Sequence, residues 1–346
     1  MDVNNSIDEQ LSMIARDAVS LQGDWKERDD QMLIDRDVVN LIETRKKTSK
    51  GLQWKVNDPK VFFDTARSLI SINTPRFRLP MDINNAPEEK AQMSKAERLA
   101  IGIYRALNDR QADMGHGQWL WDLAYWTLLG WWSVFCVVEK TTNGVQFTAD
   151  IWDPINVYPL WDAEGLMKCI RTYTVDKPTC LSMIRAYDTK GLELTKEWQE
   201  PVSDGDVTVI NAWYRKTGKG GKHEIWNAIT IGGQLVKPMT YQRNLKRIPI
   251  HVGSVGSPDM TSVNWTSRRG ESIIAANRDM YDYSDQMVSL MATIMAETAY
   301  PNLIHKTRTG HSTLKGEDMR GYGQKVDLPL TDTLELLKHA STPAEA

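Results

Sequence analysis

Between Arg268 and Thr298 the apolar residues of this chain fall into two columns spaced by seven. Ile273, Met280, Met287 and Ile294 form one column; Ala276, Tyr283 and Leu290 form the other. Two turns of α-helix take about seven residues, so both columns lie on one stripe of a single helix. Helices with this repeat pack side by side over a long distance. At about 1.5 Å per residue, such a helix is roughly 45 Å long. No other part of the chain obviously covers so long a stripe, which points to partner subunits. A long core helix within one subunit is the other account of the pattern. Asp279, Asp282 and Asp285 sit three apart and leave the apolar columns. They form a solvated face or, repeated around a ring, an acidic wall that repels phosphates.

The chain has 346 residues, enough for two or more domains. Apolar residues make up 41% and charged residues 25%, so a core can form, and the balance argues against wholesale disorder. Net charge is -3 and the pI is about 6.1. That balance argues against tight, free-standing DNA binding, which rests on Lys and Arg at phosphates. It does not exclude a protein that DNA passes. Cys136, Cys169 and Cys180 are odd in number and form no C-x-x-C, which argues for a reducing compartment and against a disulfide framework or zinc site. The acidic start MDVNNSIDEQ carries no secretory signal. One membrane candidate exists, Leu123 to Val138, but it falls short of about 20 residues and Gly130 interrupts it. It reads as helix, glycine, buried strand.

Leu11, Ile14 and Val19, then Leu33, Val38, Val39 and Leu41, give two helical stripes before residue 46. The polar run Lys26–Asp30 between them reads as a solvated connection. Asp58-Pro59 opens a further helix. Phe77 and Leu79 alternate with Arg76 and Arg78 like a short strand, and 84–95 reads as loop. Leu99, Ile103 and Leu107 share a helix face, and Trp119, Leu123, Trp126 and Leu129 mark another helix. Strands follow from Trp131 to Tyr173, with turns at Asn143-Gly144 and Asp162–Gly165. Pro178–Asp188 reads as a short helix; Val207–Arg215, His223–Ile231 and Ile248–Val252 read as strands. The stretch Gly253–Trp265, rich in Gly, Ser, Pro and Asn, reads as a boundary. After Tyr300-Pro301, two short strands flank a basic, glycine-rich stretch with Lys306, Arg308, Lys315, Arg320 and Lys325. Ser341–Glu345 reads as a helix N-terminus.

Catalytic motifs are missing. Gly218–Lys222 lacks the first glycine and the final hydroxyl of a phosphate-binding loop, and His223-Glu224 lacks the second histidine of a zinc helix. No metal site or cofactor is expected. Asp150, Asp153 and Asp162 beside Trp152 and Trp161 are the best enzyme candidate, because glycoside hydrolysis needs paired carboxylates on aromatic platforms. Asp153-Pro154 and Asp162–Gly165, lying between β runs, also read as turn residues.

In order, the helix LAYWTLLG running into WWSVFCVVEK, the segment IWDPINVYPLWDAEG, RIPIHVGSVGS, the helix at 270–301, a basic α/β excursion and STPAEA resemble a portal protein of a tailed bacteriophage. The resemblance covers about 58 to 346. It implies an α+β fold in an elongated, ring-forming subunit. The parts are a helical N-terminal arm (1–57), a mixed α/β wing (58–264), a stem helix (265–299), a small α/β clip (300–340) and the start of a returning stem helix (341–346). The remainder of that helix, the rest of the wing and the crown are expected outside this sequence. It further implies no enzyme but a homo-oligomeric ring, usually a dodecamer, at one capsid vertex of the virion, assembled in the host cytoplasm. Double-stranded DNA passes through such a ring. The terminase large subunit and later a head–tail adaptor dock on it, and the major capsid and scaffolding proteins surround it. Ile273, Met280, Tyr283, Met287, Leu290 and Ile294 are then expected at subunit contacts. Asp279, Asp282 and Asp285 are expected toward the channel, and Lys306, Arg308, Lys315, Arg320 and Lys325 on the clip surface. No membrane contact is expected. The competing expectations are another adaptor or minor capsid protein, and a carbohydrate-active enzyme.

Overall fold

Helices open the chain, and strands dominate after residue 130. The computed structural model describes residues 7–42, 54–72, 75, 77–78, 87–141, 144–189, 205–218, 222–255, 270–299, 303–307 and 325–329. α1 (Ile7–Val39), α2 (Asp58–Ser71), α3 (Pro87–Asp113) and α4 (Trp119–Leu128) precede β1 (Trp131–Thr141) and β2 (Gly144–Trp152). A 3-10 turn, Pro154–Asn156, leads into β3 (Val157–Asp162) and β4 (Gly165–Val175). α5 (Lys177–Thr189) is followed by β5 (Val207–Thr217), β6 (His223–Ile231), β7 (Gln234–Tyr241) and β8 (Ile250–Ser254). α6 (Arg278–Ala299), β9 (Leu303–Thr307) and β10 (Lys325–Pro329) complete the described elements. Runs of helix and runs of strand, with antiparallel pairing, make the chain α+β. It divides into two compact units: 1–42 with 58–278, and 43–57 with 279–346.

The larger unit holds two sheets, β2-β1-β8 and β3-β4-β5-β6-β7, each antiparallel throughout. Alternating apolar residues from both meet in one core, with Trp152, Val157, Cys169, Trp213, Ile225, Ile248 and Ile250. Phe135 stacks on Trp152 at 4.8 Å. The expected helix, glycine, strand order is present: Gly130 has φ +105° and turns α4 into β1. Among the described residues no helix is long and apolar enough to cross a membrane.

The N-terminal helix departs from expectation. α1 is continuous through Lys26–Asp30, and the middle of that run is buried. Arg28 is 3% exposed. Its Nε and Nη2 donate to Asp29 Oδ1 (2.8 and 2.6 Å), and Nη2 also donates to Pro154 O (2.8 Å) and Val157 O (3.1 Å). The guanidinium lies 4.4 Å from the Trp25 ring. Pro154 and Val157 lie more than a hundred residues away in sequence, so local polarity could not reveal this burial. Residues 7–42 therefore belong to the same unit as the sheets and are not a separate arm.

Two shorter expectations also change. α3 begins at Pro87, inside the stretch read as loop, because Pro at the first turn followed by Glu88 and Glu89 is a good helix start. Residues 77–78 are not in a strand.

The smaller unit contains α6 and the parallel pair β9–β10, with Leu303 opposite Lys325 and Lys306 opposite Leu328. The two strands around the basic stretch are thus present. Arg308, Lys315, Arg320 and the Ser341–Glu345 motif lie outside the described residues.

Candidate assembly surface

The heptad helix is shorter than its sequence pattern. α6 starts at Arg278, preceded by an irregular segment at 270–274 and a 3-10 turn at Ala275–Asn277. Its 22 residues reach about 33 Å instead of about 45 Å. Tertiary ties explain the late start. Gly270 has φ +99°, and a Cβ there would meet Gly130 O and Trp131 Nε1, each at 2.5 Å. Glu271 N–H donates to Val255 O (3.0 Å) and Ile273 N–H to Leu128 O (2.9 Å). Ile274 is fully buried. Ile273 therefore sits in a turn sewn to the end of α4, and Ala276 in the 3-10 turn; neither lies on the helix with the other column residues. At the junction Arg278 Nε and Nη2 donate to Asp35 of α1 (2.6 and 3.0 Å).

Along α6 the usual amphipathic order is inverted. Met280, Tyr283, Met287, Leu290, Met291, Ile294 and Met295 are 41–68% exposed. The less exposed side carries Tyr281, Ser284, Asp285, Val288, Ser289, Ala292, Thr293 and Ala296, mostly small or polar. Small side chains let the segment just before α2 lie close. Ser289 Oγ accepts from Trp54 N–H (2.8 Å) and donates to Trp54 O (3.0 Å), and Asp285 Oδ1 accepts from Val56 N–H (2.8 Å). A globular helix puts its apolar stripe inward. Here the large apolar side chains form a continuous outer stripe, and five of the six expected interface residues lie on it; Ile273 does not.

The three aspartates do not share a face. Asp279 and Asp282 are exposed, whereas Asp285 is buried against Val56. A spacing of three falls short of a full turn by about 60°, so two steps carry Asp285 to the sheltered side. Lys306 and Lys325 lie on β9 and β10.

The Asp/Trp cluster at 150–162 is likewise dispersed. Asp153 caps the 3-10 turn by accepting from Ile155 N–H (2.9 Å), and burial pushes its carboxyl above the usual carboxylate range. Asp162 accepts from Glu164 N–H (2.9 Å) and pairs with Arg215; the Arg215 hydrogen bond holds it below that range. Asp150 pairs with Arg110 at 3.3 Å. Asp150 and Asp153 line a cleft of about 570 Å³ with Arg67, Arg110 and Arg171, and Asp162 lies elsewhere. The turn account describes Asp153 and Asp162 well.

Sequence reasoning missed the Arg28–Asp29 centre, whose partners are set by the tertiary fold. Only the isolated position of a Trp and an Arg, three apart within a polar run, hinted at it. Compared with family models and with curated proteins, the chain matches none.

Proposed function

We propose that this chain is a subunit of a bacteriophage portal: a homo-oligomeric ring at one capsid vertex through which double-stranded DNA is packaged and ejected. The observation that carries the reading is the outward apolar stripe of α6. Burying a large apolar side chain contributes about 1.5–3 kcal/mol, and such a stripe on a soluble protein calls for a cover. Neighbouring copies in a closed ring supply it through heterologous contacts, in which two different faces of each subunit meet. The order of elements supports the same reading: a β-rich wing-like unit, a long helix, then a small strand pair around a basic stretch. In this assignment Met280, Tyr283, Met287, Leu290 and Ile294 pack between copies, and Asp279 and Asp282 lie nearest the DNA. The clip strands carry the docking surface for the terminase large subunit and the adaptor, and capsid and scaffolding proteins surround the ring in the virion.

Native mass measurement and electron imaging of the full-length protein test this. A closed ring with a central hole is expected, a dodecamer foremost. The double substitution Met287→Glu/Leu290→Glu should reduce it to small species while circular dichroism stays unchanged. A protein that remains a monomer, or rings indifferent to that pair, would remove the proposal.

A further inference from the structure

A sheet edge exposes alternate N–H and C=O groups that are a template for another strand, and folded proteins normally close it. At three edges of the larger unit a helix side chain bonds the strand backbone. On β2, Ala149 O accepts from Trp119 Nε1–H at 2.8 Å. On β3, Pro159 O accepts from Trp25 Nε1–H (3.0 Å) and Val157 O from Arg28 (3.1 Å). On β7, Met239 N–H donates to Gln10 Oε1 at 3.0 Å.

The fourth edge is β8. Its register on β1 pairs Trp132 with Gly253 and Val134 with His251. Cys136 N–H donates to Pro249 O and Val255 N–H to Gly130 O, both at 2.8 Å. Antiparallel pairing alternates, so His251 and Gly253 turn both peptide groups toward β1, as Pro249 does its carbonyl and Val255 its N–H. Those of Ile250, Val252 and Ser254 point the other way, and among the described residues nothing bonds them. The strand carries no bulge, no proline and no Lys, Asp or Glu, so the usual devices that blunt an edge are missing from it.

Clefts of about 400 and 310 Å³ run along this edge. Trp161 lines both, and Lys246 and Arg247 of the loop before β8 line the larger. Arg215 in the same cleft is paired with Asp162, and Glu164 with His223 (3.6 Å), whereas Lys246 and Arg247 have no ion pair among the described residues. A five-residue edge matches about 17 Å of extended chain.

We propose that the free edge of β8 is a docking site for an extended, acidic peptide segment of a partner protein, bound by strand addition. Carboxylates meet Lys246 and Arg247, and alternate apolar side chains meet Trp161. A peptide backbone satisfies both the donors and the acceptors of the edge. A nucleic-acid backbone offers phosphate acceptors but no N–H donors at strand spacing, and leaves the carbonyls unmet. The proposal does not depend on the portal reading.

Fluorescence anisotropy with a labelled acetyl-Glu-Val-Asp-Ile-Glu-Val-Asp-amide tests it on the full chain. Saturable binding is expected, weakened at least tenfold when alternate peptide amides are N-methylated. Val252→Pro should have the same effect, because its N–H faces outward and proline is tolerated at such an edge position. N-methylation sits on the probe, so it remains decisive if Val252→Pro misfolds. Lys246→Glu/Arg247→Glu should weaken binding about tenfold and favour a lysine version of the peptide. No saturable binding overturns the proposal. So does binding indifferent to N-methylation, tighter binding of an oligo-dT ten-mer, or self-association abolished by Val252→Pro.

Discussion

Arg28→Met isolates what the buried charge in α1 holds together. The methionine fills much of the arginine stem and removes every donor. It strands the Asp29 carboxylate, 8% exposed, without its partner, and takes a donor from Pro154 O and from Val157 O. Breaking a buried ion pair from one side costs about 3–5 kcal/mol. An orphaned buried carbonyl costs about 1–3 kcal/mol. The terms share one pocket and do not simply add, so a loss of about 4–6 kcal/mol at pH 8 is expected. The pH dependence has a definite sign. Burial pushes Asp29 up to about 6, against the pull of Arg28. The folded state then holds a proton that the unfolded chain releases between about pH 4 and 6, so this group makes stability rise as pH falls through that window. Removing Arg28 raises the carboxyl further, and the loss should shrink between pH 8 and pH 5. Urea unfolding followed by circular dichroism at both pH values, with hydrogen exchange over residues 20–39, reads this. Adding Asp29→Leu should restore most of the loss at pH 8. A loss below about 1 kcal/mol, or one equal at both pH values, would refute the reasoning.

Ile273→Asp and Met287→Asp separate the helix seen here from the longer one its sequence suggests: oligomer mass should fall for Met287→Asp and hold for Ile273→Asp. Gly270→Ala forces a Cβ into Gly130 O and Trp131 Nε1 and should lower the melting temperature by well over 5 °C, whereas Gly115→Ala, with nothing within 4 Å, should cost about 1 kcal/mol from its positive φ alone. Lys237, its Nζ bonded to Asn227 Oδ1 (2.8 Å), is lowered by burial to about 8. The unfolded chain binds that proton more strongly, so stability should rise from pH 8 to about 10.5 by up to about 3 kcal/mol, and Lys237→Met should abolish the rise in pH-dependent urea unfolding.

Local pattern carried the parts of the fold whose burial follows local periodicity. Trp132, Val134 and Cys136 alternate on β1, Asn227 and its neighbours sit on β6 as read, and Gly130 marks the change from helix to strand. Where long-range partners decide, pattern failed. Glu27, Arg28, Asp29 and Asp30 look solvated, yet Arg28 finds carbonyls of the turn before β3. Ile273 continues a heptad column, yet its N–H is claimed by Leu128 and its neighbour Ile274 by the core. Asp279, Asp282 and Asp285 look like one face, but helical geometry turns the third inward. The place of β8 at the end of its sheet was invisible in sequence, because long-range pairing among the described strands decides it.

The late start of α6 strengthens the assembly argument even as it shortens the helix. A heptad column running unbroken from 273 could have been covered within one chain, since its first turns touch the α4–β1 junction. The structure takes Ile273 and Ala276 out of the columns and commits the sheltered face of α6 to Trp54 and Val56. That face carries Asp285, Val288, Ser289, Ala292 and Ala296, and exchanging it for the outer stripe would break the Asp285 bond to Val56 and the Ser289 bonds to Trp54. Among the described residues the seven large apolar side chains from Met280 to Met295 stay 41–68% exposed, and the ring proposed above would cover them with the partner face of a neighbouring copy.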